Sequence, residues 1–261
     1  MYCRSGRIFG FVLVGGLWLF DCQPAQATAI AFSDITAVNL SLTPAAGTVN
    51  FDPFSVSAFA QALNSLGELD AQSDGSPSNP ALVNAMVTWA DGHASASGVQ
   101  WLASSNVSIP GATEGAASSE GQGLWFTTFT VTGGTGSVQV DFSADVSGQL
   151  NVLTDANGVS ARTETIFNLN VDGDPVLFQD RILDIGPNDA QTQLFADGLS
   201  GSMSLDYDTP YFLLLRVDSE SFAVNAPEPS TITLLGLGLG AAVAARRIRT
   251  ARRPSRDTPP T

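Results

Sequence analysis

The chain has 261 residues and a net charge of −14, with 25 Asp and Glu against 11 basic residues, all of them Arg. Between residues 28 and 226 the balance is 22 acids against three Arg (Arg162, Arg181, Arg216), which excludes nucleic acid as a partner because a phosphate backbone needs clustered positive charge. The lack of Lys excludes Schiff-base chemistry, and a single histidine, His93, with no cysteine beyond Cys3 and Cys22, leaves neither a Cys–His pair nor a multi-His zinc site.

Arg4 and Arg7 precede an apolar run over residues 8–20, and Pro24-Ala25-Gln26-Ala27 supplies small residues in an Ala-x-Ala pattern. Together they read as a signal peptide over residues 1–27, cut by signal peptidase after Ala27. Lipoprotein processing at Cys22 is the alternative. Leu19-Phe20-Asp21 argues against it, placing bulky and charged residues where small ones are needed. Both cysteines lie in this leader, so the exported part, about 200 residues, is expected to bury one core without disulfides.

Residues 28–225 read as one exported domain. Residues 29–42 and 48–51 give two or three short strands broken at Pro44 and Gly47. Over 54–66, Phe59, Ala62, Leu63 and Leu66 fit a helix or a surface turn, and 70–78 reads as a loop. Asn79-Pro80, followed by Leu82, Val83, Met86 and Trp89, reads as a capped helix start, with His93 in the loop at its end. Beyond Ser95 the period becomes two. Val99 with Trp101 and Val107 with Ile109 mark short strands, and the small, Gly-rich residues 110–122 read as a loop. Trp125, Thr127, Phe129 and Val131 share one strand face, with Leu124 and Phe126 on the other. Val138, Val140, Phe142 and Val146 alternate with polar partners, and Asn157-Gly158 favours a tight hairpin between the strands on either side of it. Val171-Asp172-Gly173-Asp174 is a further turn, and Tyr211, Leu213, Leu215 and Val217 face one way in the last strand. The expected fold is all-β: an antiparallel β-sandwich, jelly-roll-like, with one or two short helices, a signal helix before it and a membrane helix after it.

Residues 226–261 form a tail of three parts. Pro227-Glu228-Pro229 forbids helix and holds a short segment extended. Residues 231–245 carry no charge and as a helix span roughly 22 Å, short of the roughly 30 Å of bilayer hydrocarbon. Arg246, Arg247, Arg249, Arg252, Arg253 and Arg256 follow within residues 246–256, a basic stop that orients this end toward the cytoplasm. In this order the parts resemble the sorting tail of the PEP-CTERM family of exported bacterial proteins. Pro227, Glu228 and Pro229 match its motif residue by residue, although the chain runs on longer than usual after Arg253. The resemblance implies recognition by exosortase, a membrane-embedded cysteine protease of Gram-negative bacteria, many of which make exopolysaccharide. It further implies transient insertion in the inner membrane, removal of the tail near the Pro-Glu-Pro triplet, and passage to the cell surface or matrix. Residues 127–225 also resemble the β-rich body of many such proteins, which implies fold and no activity.

Candidate chemistry is sparse, and no catalytic residue is assigned. No Gly-x-Ser-x-Gly elbow accompanies His93. Glu164, beside Arg162, is a candidate member of a glycosidase carboxylate pair, with cross-strand charge pairing as the plainer account. No cofactor is expected. Calcium is the one cation the oxygen-rich turns suit, through Asp172, Asp174 and Asp180 or through Asp206 and Asp208, although none has the spacing of a known calcium loop. Trp101, Trp125, Tyr207 and Tyr211 are candidates for stacking on sugar rings, or else core. The expectation is an exported, non-enzymatic structural or interaction protein of the cell surface or extracellular matrix, associated with exopolysaccharide or biofilm. The alternatives are a calcium-dependent carbohydrate-binding module and a glycan-processing enzyme.

Overall fold

Side chains that alternate between inside and outside decide every element of the domain. The computed structural model describes residues 28–77, 79–110, 115–154 and 159–225. The expected leader (with Ala25 and Ala27), the Asn157-Gly158 turn and the whole C-terminal tail lie outside those residues. Thirteen strands follow one another: β1 (Ala29–Pro44), β2 (Thr48–Phe51), β3 (Ser55–Asn64), β4 (Leu69–Pro77), β5 (Ala81–Val87), β6 (Ala90–Ala96), β7 (Gln100–Ile109), β8 (Gly115–Thr132), β9 (Ser137–Thr154), β10 (Ser160–Val171), β11 (Asp174–Ile185), β12 (Ala190–Asp206) and β13 (Pro210–Asn225). All pairings are antiparallel. One sheet has the order β12-β9-β1-β7-β6-β5, and the other β11-β10-β13-β8-β3-β4, with β2 joined to β8. The two sheets face each other in a sandwich-like, all-β arrangement with the apolar core between them. Three pairs nest in sequence: β8 with β13 in one sheet, β9 with β12 in the other, and innermost the β10–β11 hairpin, which forms the edge of the β8–β13 sheet.

The strongly alternating strands agree with the sequence reading. Trp125, Thr127, Phe129 and Val131 turn inward, as do Val138, Val140, Phe142 and Val146, and Leu213, Leu215 and Val217. The expected helices are absent among the described residues. In β3 the inward set is Val56, Ala58, Ala60 and Ala62, while Phe59 and Leu63, taken above as a helical face, point outward. In β5 the inward set is Ala81, Val83 and Ala85, leaving Leu82 and Met86 exposed. The stretch read as a loop at 70–78 is the edge strand β4, and His93 lies within β6, opposite Asn84 and Ser104. The Gly-rich residues from 115 onward open β8. Strands β9 and β10 belong to opposite sheets, so no hairpin forms across Asn157-Gly158.

Small inward residues let the sheets come together where β5 and β6 cross β3 and β8. A Cβ on Gly92 would lie 2.2 Å from the carbonyl oxygen of Glu120, and one on Gly121 would lie 2.2 Å from that of His93. Both contacts are with backbone of the opposite sheet, closer than the roughly 10 Å spacing that larger side chains set between stacked sheets. Gly121→Ala is therefore expected to destabilise the domain by about 1–3 kcal/mol through overpacking. Gly186→Ala, at a position with nothing within 4 Å, should leave stability unchanged in the same denaturant titration.

Both open sides are latched. Along the β4 side, the free N–H groups of edge strand β5 are taken by carboxylates: Leu82 N–H donates to Asp74 at 3.2 Å and Met86 N–H to Asp70 at 2.9 Å. Just past the end of β5, Thr88 N–H donates to Glu68 at 3.0 Å. Covering an edge in this way removes a template for strand addition by other chains. On the opposite side Arg181 of β11 pairs with Asp197 of β12 at 2.6 Å and lies over the Phe195 ring. The Met86 amide holds Asp70 below its ordinary value of 3.8, and the Thr88 side chain, with Asn64, holds Glu68 below 4.5. Their stabilisation is complete above those unfolded-state values and is lost as pH falls through the lower folded ones. The melting temperature should thus drop on acidification below that window, and Asp70→Asn with Glu68→Gln should shrink the drop. An acid response unchanged in the double variant would mean that other groups carry it.

Candidate functional site

Three glutamates stand in one rung on the outer face of the second sheet. Glu120 of β8 is directly opposite Glu220 of β13, which is directly opposite Glu164 of β10, and Gln61 of β3 continues the row. Each sits between two inward residues: Ser119-Glu120-Gly121, Thr163-Glu164-Thr165 and Ser219-Glu220-Ser221. Inward, the hydroxyls join the two sheets. Ser219 meets Ser33 at 2.7 Å and Ser105 at 2.9 Å, and Ser221 meets Ser105 at 2.8 Å and Thr163 at 3.0 Å.

Outward, the rung floors an open depression of about 300 Å³. Like charges directly opposite one another are unfavourable. Arg162 answers one of them, pairing with Glu164 at 2.6 Å. One step along the strands, Asp218 is almost wholly buried, accepts a hydrogen bond from Gln122 at 2.8 Å and contacts Arg216. Burial first, and then neighbouring carboxylates, raises Glu120 and Glu220; burial raises Asp218 in spite of Arg216. The folded state therefore favours the protonated forms, and this contribution fades as pH rises through the raised values. The arrangement can share a proton or accept a cationic or hydroxylated ligand. Two carboxyls in one depression also meet the first requirement of a glycosidase.

The residues singled out for calcium are not brought together. Asp172 sits in the β10–β11 turn at φ 51°, where its carboxylate accepts the Phe212 N–H at 2.8 Å, the work of a turn residue. Asp174 begins β11, whereas Asp180 lies six residues further along, near Glu164. Asp206 and Asp208 flank the β12–β13 turn, their amides bonded to the Tyr211 hydroxyl and to Val131 O. Among the described residues no three His, Cys, Asp or Glu form a group that could hold a metal ion.

The aromatic candidates separate into two groups. Tyr207 donates its hydroxyl to Ala46 O, and Tyr211 packs on Phe129 with ring centroids 5.8 Å apart. Trp101 and Trp125, from opposite sheets, meet edge to face at 5.8 Å, and Phe54 leans on Trp125 at 6.2 Å. These three line a groove of about 370 Å³ at one end of the sandwich. Of the carboxylate rung, only Glu164 was singled out from sequence. The repeated hydroxyl-Glu-small tripeptide on three strands was a signal, but the neighbours it needs are about 100 residues apart in β8 and β13.

The sorting residues Pro227, Glu228 and Pro229 and the Arg cluster Arg246, Arg247, Arg249, Arg252 and Arg253 lie outside the described residues. Residues 225–249 match the PEP-CTERM protein-sorting motif, beginning at the last residue of β13. No curated protein and no solved structure matches the chain. The motif implies export in a bacterium and a membrane-anchored C-terminal sorting signal of the kind exosortase processes.

If the rung is bound to nothing, Glu220→Gln removes repulsion at no loss of shape. The melting temperature at pH 7 should then rise, and the variant should lose part of the native protein's stability gain on mild acidification. A fall at pH 7 would show that the carboxylate is needed as an acceptor.

Proposed function

We propose that the protein is a non-enzymatic structural or interaction component of the cell surface or extracellular matrix of a Gram-negative bacterium. On this reading signal peptidase removes residues 1–27 and exosortase processes the tail, after which the β-domain associates with exopolysaccharide. The observation that carries the proposal is the sorting motif at 225–249, which starts at the last residue of β13. Asn225 pairs with Gly115 as the last rung of β13, so a cut near Pro227–Pro229 would remove nothing from either sheet. At the other end β1 begins at Ala29, just beyond the expected cut after Ala27. The nesting of β8/β13, β9/β12 and β10/β11 supports the jelly-roll-like reading of this domain. Its acidic surface, free of Lys and of cysteine, suits a domain kept soluble outside the cell by self-repulsion.

A second reading, a glycan-processing enzyme, rests on Glu120 and Glu220, two raised carboxyls in one depression. It predicts hydrolysis of the host's polysaccharide by the purified protein, abolished in Glu220→Gln. Absence of any released sugar removes it.

Mass spectrometry of the protein recovered from the cell surface reads both ends in one measurement. The expected species starts at Thr28 and ends near Pro227–Pro229, and deleting exosortase should leave the tail attached in the membrane fraction. Full-length protein in the cytosol, uncut at either end, overturns the proposal.

A further inference from the structure

We infer that the pole of the domain where β1 begins and β13 ends docks on a zwitterionic lipid bilayer through Leu63, Leu66, Leu69, Met86 and Trp89, a contact that rests on the reading of residues 231–245 as a membrane anchor.

Ala29 stands opposite Ile109 and Asn225 opposite Gly115, so the first and last strands reach the same pole. Two turns join them there. The Ser65 N–H donates to Ala116 O at 2.8 Å, which sets the β3–β4 turn beside the start of β8, and a Cβ on Gly115 would lie 2.8 Å from the ring of Trp89 in the β5–β6 turn. Strand β8 lies between β3 and β13, so this turn is about 10 Å from the end of β13 at roughly 4.8 Å per strand. From Asn225 to Thr231 is six residue steps, at most about 22 Å of fully extended chain. An anchor that starts at Thr231 therefore keeps this pole next to lipid.

The side chains presented there are apolar. Leu66, in the β3–β4 turn, is 62% exposed, Leu69 60%, Met86 64% and Leu63 41%. Leu63 stands opposite Leu69 on the outer face of the second sheet, and Leu69 shares an open depression with Met86 along the β4–β5 edge. Sinking such side chains among headgroups removes their apolar surface from water. Trp89 has φ 76°, a left-handed backbone that a bulky residue takes up only against strain and that glycine would suit better. Strain of this kind marks positions where the side chain is wanted. A half-buried indole at the end of the domain is suited, like the tryptophans of membrane–water interfaces, to an apolar body and a wet edge. The nearest carboxylates are engaged, Glu68 by the Thr88 N–H and Asp70 by the Met86 N–H. On the other flank of the pole the β11–β12 turn exposes Gly186, Pro187, Asn188 and Asp189, so the lipid-seeking side is that of β3–β5. Charge sets the lipid type: the acidic domain is repelled by anionic headgroups and not by zwitterionic ones. A domain docked in this way meets a membrane-embedded protease in one orientation.

The test uses the full chain in phosphatidylcholine vesicles, with Cys3→Ser and Cys22→Ser so that an introduced cysteine is the only thiol. An environment-sensitive fluorophore is attached in turn at Leu66→Cys, at Gly186→Cys on the other flank, and at Val99→Cys in the β6–β7 turn of the far pole, all exposed positions. The Leu66 label should shift to the blue and be quenched by lipid carrying a nitroxide near its headgroup, several-fold more than the Gly186 label, with the Val99 label unaffected. Leu69→Gln with Met86→Gln, exposed changes that spare the core, should lower the quenching at Leu66 to the Gly186 level while the chain still floats with the vesicles. Equal quenching at Leu66 and Gly186 means a tether without docking and overturns the inference, as does stronger docking on phosphatidylglycerol vesicles. A blue shift that grows with protein concentration without quenching by lipid assigns the patch to a second copy and overturns it too. A chain that floats with an unshifted Leu66 label removes the docking alone; a chain that does not float removes the membrane-anchor reading with it.

Discussion

The close approach of two backbones, Gly92 of β6 on the Glu120 carbonyl and Gly121 of β8 on the His93 carbonyl, is the constraint the rest of the domain adjusts to. Alanine lines the zone around it: Ala58, Ala60 and Ala62 in β3, Ala90, Ala94 and Ala96 in β6, Ala103 in β7 and Ala117 in β8. Such a zone contributes little hydrophobic area per residue, since burial energy scales with apolar surface removed from water. Stability must be recovered where the sheets diverge, and there Trp101, Phe129, Phe142, Phe167, Leu213 and Leu215 fill the gap. The core thus widens from a glycine–alanine seam to aromatic packing, and the groove opens at the wide end.

Beside the seam, in the same rungs, Ser219 stands opposite Gly121 and Ser105 opposite Gly92, and there hydroxyls fill the space between the sheets. Ser33 and Ser105 from one sheet meet Thr163, Ser219 and Ser221 from the other in a network that is buried yet mutually satisfied. Strand alternation then fixes what lies behind them. With Ser119, Thr163, Ser219 and their successors turned inward, Glu120, Glu164 and Glu220 have nowhere to go but one outward rung. The carboxylate depression is in this sense the reverse side of the seam, and the raised proton affinity of Glu120 and Glu220 follows first from burial and then from the neighbouring carboxylates.

This also accounts for what could be read from sequence. Strands whose inward set is large, β8, β9 and β13, announce themselves, because Trp125, Phe129, Val140 and Leu215 stand out against polar neighbours. Strands whose inward set is Ala and Gly do not. In β3 and β5 the conspicuous residues, Phe59, Leu63, Leu82 and Met86, are the outward ones, and their spacing imitates a helix. The edge strand β4 looked like a loop because its acids face the edge of β5, a role visible only once the opposite sheet is in place. Glu164 and the two tryptophans could be picked out singly. Their partners could not, since pairings such as Glu120 with Glu220 depend on the order of strands in the sheet, which no local pattern carries.

Polarity along the sandwich connects these features. Ala29 and Asn225, the first residue of β1 and the last of β13, lie beside the ends of β7 and β8 that Ile109 and Gly115 define, so both ends of the described domain lie at one pole. The seam at Gly92 and Gly121 clamps the middle, and the aromatic end, where β1 shifts register between Val38 and Ser41, is held from behind by that clamp. An open groove with apolar walls needs support from elsewhere in the molecule, because those walls would gain by closing. Backbone packed on backbone supplies that support with no flexible side chain to yield. The alanine-rich seam, costly in hydrophobic area, is what lets the opposite pole keep two tryptophans in a groove without collapse.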